Sequence, residues 1–166
     1  MTGNDDKPGH LARRFQQIAV AIFHAEVEEA GYDLTPVQYA ALSTISAHPG
    51  LDQATLAGLI AYDRTTITGV VDRLEQKGLL VREANSRDRR AHRLQITQQG
   101  QRTLSGIEPA VEAAQGIMLR GLSAAEATQF MRLLRKATAA GNELSRAPLR
   151  EASAIAAQKP AVRRRS

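Results

Sequence analysis

The chain has 166 residues, long enough for one domain with a modest core and too short for two. Its formal net charge of +5 and its pI of about 10.1 favour a polyanionic partner. The lack of cysteine excludes a disulfide scaffold, a thiolate zinc site and thiol-based sensing. The first twenty residues are polar, and no apolar run approaches the ~18 residues of a membrane helix. We therefore expect a soluble cytoplasmic protein with no membrane partner.

The first helix is expected from His10 to Ala30, after a disordered lead of residues 1–9. Gly31 ends it. One face of this helix carries the apolar residues Leu11, Phe15, Ile18, Ile22 and Phe23. A long N-terminal helix of this kind usually packs on another surface, and the best candidate is a partner subunit. We therefore expect residues 10–33 to serve dimerisation.

The second helix has a strong start signal. Thr35 is its cap, Pro36 occupies the first helical position, and Gln38 closes a capping box. The helix ends near residues 48–50, where His, Pro and Gly predict a loop.

Residues 52–97 organise the rest of the chain. They predict a short helix, a break at Ala61 and Tyr62, and a second helix that begins at Arg64 with Asp63 as its cap. Gly78 ends this second helix. Its apolar face is Ile67, Val70, Val71 and Leu74, and its free face is Arg64, Thr65, Thr68 and Asp72.

Two strands follow, at residues 79–84 and 91–96, and the polar, arginine-rich residues 85–90 join them. Two helices at an angle, followed by a basic hairpin, predict a winged helix-turn-helix, in which one helix enters the DNA major groove. The alternative is that the threonines and the loop arginines form only a solvated surface.

Thr97 begins a long helix that contains Pro109 and ends at Gly121, and a capping box at residues 123–126 begins the next helix. These helices and the first one carry more apolar surface than one small core can cover. We therefore expect residues 98–147 to complete a dimerisation region. Residues 148–166 predict a disordered basic tail that ends near Arg163, Arg164 and Arg165. This tail either does nothing specific or binds phosphates.

The segments LTPVQYAALSTI (34–45), LAGLIAYDRTTITGVVDRLEQKGLLVRE (56–83) and DRRAHRLQIT (88–97) resemble the MarR family of bacterial transcriptional regulators. Asp88 and Arg90 match the wing signature of that family, and residues 96–100 match its strand exit. The resemblance covers about residues 10–141. It implies a mainly α fold with a small β-hairpin wing at residues 34–97, flanked by dimerisation helices. It also implies a homodimer that binds a near-palindromic operator in double-stranded DNA and releases it when a small ligand binds.

The DNA contacts are expected on the second helix of the motif and on the wing. Candidates for base edges and phosphates on the helix are Arg64, Thr65, Thr66 and Thr68. Candidates for phosphates alone are Arg73, Arg87 and Arg89. By resemblance, Arg90 enters the minor groove and Asp88 holds it in place. Asp72 and Glu75 repel DNA, so we expect them to pair with Arg73, Lys77 or another base within the fold.

The effector site is expected, by resemblance, where the first, second and fifth helices meet the reading domain. The candidate lining is Phe15, Ala19, Phe23, His24, Tyr39 and Leu42. Arg13 and Arg14 would meet a carboxylate or the phosphates of a coenzyme A thioester. The effector class is therefore a small aromatic carboxylate or its thioester. Each of these residues also has an ordinary interpretation as core or as solvated helix face.

No enzyme motif is found, and no cofactor or metal is expected. His24 and Glu28 share a helical face, but a hydrogen bond is the simpler role for them. The sequence thus predicts a ligand-responsive, sequence-specific regulator, most simply a repressor of an aromatic-compound catabolic or efflux operon. Two alternatives stay open: a constitutive or architectural DNA-binding protein without an effector, and a winged-helix module that binds proteins.

Overall fold

The computed structural model describes residues 6–85 and 88–151, which form six helices and one antiparallel hairpin. This arrangement confirms the mainly α fold with a two-stranded wing. In chain order the elements are α1 (Pro8–Glu29), α2 (Pro36–Ala47), α3 (Gln53–Leu59), α4 (Arg64–Gln76), β1 (Leu80–Asn85), β2 (Asp88–Ile96), α5 (Gln98–Leu119) and α6 (Ala124–Ala140), followed by a 3₁₀ turn (Asn142–Leu144).

Local capping chemistry sets most helix starts. The Thr35 hydroxyl accepts a hydrogen bond from the Gln38 amide at 3.2 Å, and the Gln38 side chain accepts one from the Thr35 amide at 3.2 Å. Both expected capping boxes, at α2 and at α6, are present. Helix α1 begins at Pro8, two residues earlier than expected, because proline is favoured in the first turn of a helix.

The core lies where α2, α3, α4 and the hairpin meet, and it continues without a break to the buried residues of α1 and α5. The four apolar residues expected on α4 are all buried, and they pack with Leu42, Ile45, Leu56, Leu80 and Leu94. Burying one face of α4 in this way leaves its opposite face in solvent. The core therefore fixes which side of α4 a partner can reach.

The hairpin is longer than expected. Leu80 pairs with Ile96 and Asn85 with Asp88, so Asp88, Arg89 and Arg90 belong to β2 and not to the joining loop. The prediction of the loop failed because the sequence there is polar and charged, and apolar alternation marks a strand only where one of its faces is buried. The loop before α3 adds to this sheet, since the Gly50 amide donates to the Leu94 carbonyl at 3.0 Å and the Leu94 amide to the Leu51 carbonyl at 2.9 Å.

Helix α5 is joined closely to the short segment between α4 and β1. The Thr97 hydroxyl donates to the Gly78 carbonyl at 2.7 Å. At Gly100 the helix passes so close to the backbone of Leu79 that a Cβ atom would lie 2.0 Å from the carbonyl oxygen. Only glycine allows this approach without a shift of the backbone.

Helices α1 and α6 carry an uncovered apolar surface. Leu11, Ile18 and Leu133 are about half exposed, at 50%, 49% and 46%, and α6 has no buried residue at all. Phe15 and Phe130 join the two helices through an edge-to-face ring contact with centroids 5.4 Å apart. Within the described residues, no helix is both long and apolar enough to cross a membrane.

Candidate nucleic-acid interface

The exposed face of α4 follows a tight turn. Ala61 in that turn has a φ of +55°, in the region that favours glycine, which confirms the expected break in the chain there. Asp63 then caps α4: its carboxylate accepts from the Thr66 amide at 2.9 Å and from the Thr66 hydroxyl at 2.6 Å. These bonds to Thr66 hold the pKa of Asp63 below its usual range. The first turn of α4 is thus fixed by its own residues.

Gln53 of α3 adds a bond between the two helices of the motif, which the sequence analysis did not find. Its side-chain amide donates to the Thr68 hydroxyl at 2.6 Å, and Thr68 donates to the Arg64 carbonyl at 2.9 Å. The hydroxyls of Thr66 and Thr68 therefore already serve the fold. Arg64, Thr65 and Arg73 are exposed, and within residues 6–85 and 88–151 no side-chain hydrogen bond or ion pair engages them.

Arg82 of β1 is the base that neutralises the two carboxylates of α4. Its guanidinium donates to Asp72 at 2.5 Å and also to Glu75, and its backbone amide donates to Glu75 at 3.2 Å. Burial lowers the pKa of Arg82, but the bonds and charges of the two carboxylates outweigh this effect and raise it. Of the expected partners, which were Arg73, Lys77 or another base within the fold, the last is the one found. The pairing fixes the wing to α4.

Lys77 directly follows the C-terminal end of α4 and binds the loop between α1 and α2. Its ammonium donates to the Asp33 carboxylate at 2.8 Å and also to the Asp33 carbonyl. The hydrogen bond from Lys77 holds the pKa of Asp33 below its usual range. Because Asp33 is almost fully exposed, this pair contributes little stability. Its importance lies in joining α4 to the helices behind it.

The wing residues are placed only in part. Asp88, Arg89 and Arg90 lie in β2, but their side chains, like the whole of Arg87, lie outside the described residues. The expected roles of these four residues therefore stay predictions.

A cavity of about 270 Å³ lies where α1, α2 and α5 meet. It includes three of the residues expected at the effector site, and its lining is Gln16, Ala19, Val20, Phe23, Pro36, Tyr39, Val111, Gln115 and Met118. Gln115 and Met118 were missed because the apolar face of α5 was assigned wholly to dimerisation. Gln115 lies four residues after Val111 and Met118 lies seven residues after it, and this spacing is the signal that places all three on one helical face.

The other five candidate effector residues lie elsewhere. Arg14 and Phe15 line a separate apolar groove of about 440 Å³ between α1 and α6. Leu42 is fully buried in the core, His24 is exposed with its ring against the edge of Phe23, and Arg13 bonds to Gln17 at 2.9 Å. The cavity between α1, α2 and α5 thus has no cation among its lining residues.

Tyr39 is the polar group that links the cavity to α5. Its hydroxyl donates to Glu108 at 2.9 Å. Burial, the bond to Glu108 and the charges of Glu108 and Glu112 together raise the pKa of Tyr39 to about 12, and burial contributes most. Tyr39 is therefore a neutral phenol near neutral pH. Within the described residues, no group of three or more His, Asp or Glu could hold a metal ion.

An exposed helix that follows a tight turn and is fixed to a two-stranded wing defines a winged helix-turn-helix protein. The chain belongs to the MarR family of transcriptional regulators. The MarR family model matches residues 34–92. A transcriptional regulatory protein for the hcr operon of Thauera aromatica is 39% identical over 131 residues, which cover 76% of this chain and 75% of that protein. Such relatives are regulators and not enzymes.

Solved structures of regulators share the fold. PcaV of Streptomyces coelicolor, in complex with its natural ligand, has a TM-score of 0.76 and 33% identity, covering 85% of this chain and 98% of that one. BpsR of Bordetella bronchiseptica, whose DNA binding is regulated by 6-hydroxynicotinic acid, has a TM-score of 0.75 and 28% identity, covering 81% and 94%. The repressor CouR, bound to a 23-mer DNA duplex, has a TM-score of 0.76 and 26% identity, covering 83% and 97%.

Removal of the Arg82 guanidinium should destabilise the fold. Arg82→Met leaves Asp72 and Glu75 without their partner, and we expect the free energy of unfolding to fall by about 1–2 kcal/mol, between the values for exposed and for buried pairs. Adding Asp72→Asn and Glu75→Gln should restore most of the loss. Urea unfolding at one fixed protein concentration measures this.

Arg73→Met is the matched control, because Arg73 is an exposed cation of α4 and should change the free energy of unfolding by no more than ~0.5 kcal/mol. Equal unfolding free energies for Arg82→Met and Arg73→Met would contradict the role given to Arg82.

The Tyr39 phenol should titrate far above the ordinary value of 10.0, near pH 12. Because the folded-state pKa is raised, the neutral phenol stabilises the fold fully below pH 10, and this contribution is lost as the pH rises through about 12. Glu108→Gln removes a negative charge, so it should lower the pKa of Tyr39 part of the way, while the effect of burial remains. Ultraviolet titration of the protein and of Tyr39→Phe identifies the signal. An unchanged high-pH transition in Tyr39→Phe would show that the assignment is wrong.

Proposed function

We propose that the chain is a homodimeric repressor that reads a near-palindromic DNA operator and releases it when a small aromatic acid binds. The observation that carries this proposal is the free face of α4, with Arg64 and Thr65 exposed at its N-terminal end. The residues before this face hold it rigidly through Asp63 and Gln53. A preorganised helix of this kind enters the major groove without a further ordering cost. The DNA complex of CouR, which shares the fold, supports the proposal.

The dimer rests on the apolar surface of α1 and α6. A helix with no buried residue, but with a capping box at its start, needs another surface to pack on. Pairing two chains through residues 10–33 and 98–147 would bury the half-exposed leucines and isoleucine at ~25 cal/mol per Å². Residues 34–97 would then form the DNA-reading domain of each subunit. Two-fold symmetry places two α4 helices on successive major grooves, ~34–36 Å apart.

The size of the cavity favours the free acid over a thioester. A volume of about 270 Å³ lies just below the usual range of ligand cavities, about 300 to 1,000 Å³, and suits one ring. Phe23 and Tyr39 would pack on that ring. The amides of Gln16 and Gln115 would meet its carboxylate, since Arg13 and Arg14 do not line the cavity. A coenzyme A moiety would have to lie outside. BpsR, with its hydroxynicotinic acid, supports an acid of this size.

The cavity is connected to the C-terminal end of α4 from two sides. On one side, the loop that follows α1 reaches α4 through the pair of Asp33 and Lys77. On the other side, α5 reaches it through the bond of Thr97 to Gly78 and the close contact of Gly100 with Leu79. A ligand that separates these two sides would change the position of α4, and hence the spacing of the two reading helices. A hundredfold loss of DNA affinity requires ~2.7 kcal/mol of coupling.

Selection from random duplexes should yield a near-palindrome, and two arginines should then affect its binding differently. Arg64→Ala removes a base-edge candidate, so it should cost ~1–3 kcal/mol and relax specificity at one position of each half-site. Arg90→Ala removes a backbone or minor-groove cation, so it should weaken all duplexes and reduce the salt slope by about 0.9 for each lost phosphate contact.

Arg120→Ala serves as the control in both experiments, because Arg120 is an exposed cation at the end of α5, on another element. If Arg64→Ala and Arg120→Ala bind the selected duplex equally well, α4 does not read DNA as proposed.

The switch predicts reciprocal coupling. Calorimetric titration with hydroxybenzoic and hydroxynicotinic acids should show tighter binding to the free protein than to the protein saturated with DNA, by the same factor by which the acid weakens DNA. Gln115→Leu should weaken the acid and leave DNA affinity unchanged. An acid that binds equally well with and without DNA would leave a DNA-binding protein that these compounds do not control, which is the constitutive alternative.

A further inference from the structure

The first half of α4 carries three exposed threonines, and each hydroxyl has one proton to donate and two lone pairs that accept. Two of these protons are already in use. The Thr66 hydroxyl donates to the Asp63 carboxylate at 2.6 Å, and the Thr68 hydroxyl donates to the Arg64 carbonyl at 2.9 Å. Within the described part of the chain, no side-chain hydrogen bond engages Thr65. Of the three, Thr65 is therefore the one whose proton is available to a partner outside the chain.

Gln53 of α3 occupies one of the two lone pairs of Thr68. Its side-chain nitrogen lies 2.6 Å from the Thr68 oxygen. Because the Thr68 proton points at the Arg64 carbonyl, which can only accept, the Gln53 atom that faces Thr68 has to be the donor. If the Gln53 amide were turned round, its oxygen would take the Thr68 proton instead, so neither orientation leaves that proton free. What Thr68 can offer to a partner is a lone pair.

This lone pair is accessible to a large partner. Thr68 is exposed, and it lies one helical turn after Arg64 in the N-terminal half of α4, the half of a recognition helix that contacts base edges. Gly69 comes next. Apart from its chain neighbours and the backbone of its own helix, no atom lies within 4 Å of where a Cβ of Gly69 would be. The surface beside Thr68 is thus open.

A hydroxyl that can only accept distinguishes between the groups that DNA presents. Phosphate oxygens also only accept, so Thr68 cannot bond to them. In the major groove, adenine and cytosine each present an amino group that donates, whereas guanine and thymine present acceptors and no donor. An acceptor on the reading helix therefore favours adenine or cytosine on the strand that it faces, and it leaves two acceptors opposed when guanine or thymine is there.

We propose that Thr68 is a hydrogen-bond acceptor toward DNA and that it selects adenine or cytosine at one position of each operator half-site. The inference rests on the proposed DNA-binding function. It also assigns different roles to two neighbouring threonines of α4. Thr65 has a proton for a phosphate or a base oxygen, whereas Thr68 reads an amino group.

The test measures base preferences on the selected duplex. Each position is replaced by the other three base pairs, in both half-sites together. At one position, the wild type should bind duplexes with adenine or cytosine about two- to tenfold more tightly per half-site than those with guanine or thymine, which is the range for one hydrogen bond. Thr68→Val keeps the shape of the side chain without its hydroxyl, so it should lose this preference at that position alone. Thr68→Ser keeps the hydroxyl and should keep the preference.

Thr128→Val is the matched control. Thr128 is an exposed threonine of α6, on another element, and its hydroxyl also donates to the carbonyl four residues before it, that of Ala124, at 2.9 Å. This variant should keep every base preference of the wild type.

Removal of the amino group from the DNA completes the test. Purine in place of adenine, or 2-pyrimidinone in place of cytosine, should weaken binding of the wild type about as much as Thr68→Val does. The same duplex should not weaken binding of Thr68→Val any further, because the bond is already absent. If urea unfolding shows that Thr68→Val does not fold, Thr68→Ala replaces it, since alanine has the highest helix propensity.

A Thr68→Val protein that keeps all the base preferences of the wild type would overturn the proposal. A preference for guanine or thymine that depends on Thr68 would overturn it as well. Both results leave a wild type that binds its selected duplex, so the proposed function survives them. If the wild type bound no duplex at all, the proposed function itself would fail, which separates the two failures.

Discussion

The main constraint on this structure is that two carboxylates on α4 need a positively charged partner from the same chain. Asp72 and Glu75 lie on α4, where their charge would repel a phosphate backbone, and Arg82 neutralises both from the neighbouring strand. The guanidinium is mostly shielded, with 20% of its side chain exposed, so the low local dielectric strengthens the interaction. Arg82 thus neutralises the two carboxylates of α4 and at the same time fixes the wing relative to α4. The two elements to which we assign DNA contact are therefore joined by a charged pair of bonds.

The C-terminal end of α4 is joined to α5 and to the loop between α1 and α2 by contacts of different strength. The join to α5 is steric and backbone-based, because Gly100 lies against Leu79 and Thr97 bonds to Gly78. The join to the loop between α1 and α2 is one exposed ion pair, Asp33 with Lys77. A ligand can shift a conformational equilibrium only by binding one of the two conformations more tightly. We expect the two conformations to differ at the weaker join, which is the exposed ion pair of Asp33 and Lys77. The proposed switch therefore acts by moving α1 and the loop that follows it relative to residues 34–97, the proposed DNA-reading domain, which includes α2.

The sequence predicts this fold well where the physical cause is local. Capping at Thr35 and Ser123 depends on residues three positions apart, and the buried face of α4 depends on helical periodicity, so both were confirmed. The partner of Asp72 and Glu75 was harder to predict, since Arg82 lies beyond the end of α4 on a strand and only the turn at Gly78 brings it back. The bond of the Arg150 amide to the Gly58 carbonyl of α3 was not predicted, because nothing in residues 141–151 indicates which surface they contact.

The effector residues show the same limit. Phe15 and Phe23 lie on one apolar stripe of α1, but the helix is long enough to pass two different neighbours. Phe15 therefore contacts Phe130 of α6, whereas Phe23 faces Tyr39 of α2. An apolar stripe shows which side of a helix is buried, but it does not show which cavity the residues on that side line. The opposite wall comes from α5, whose residues lie about ninety positions away in the chain and carry no local signal of this contact.

Hydroxyl-radical footprinting of the selected duplex, combined with light scattering of the complex, tests the central claim most directly. That claim is that two copies of this chain present two α4 helices to one face of DNA. The account predicts two chains per duplex and two equivalent protected regions about one helical turn apart, related by a two-fold axis. One chain per duplex, with a single protected region and no symmetry, would contradict it.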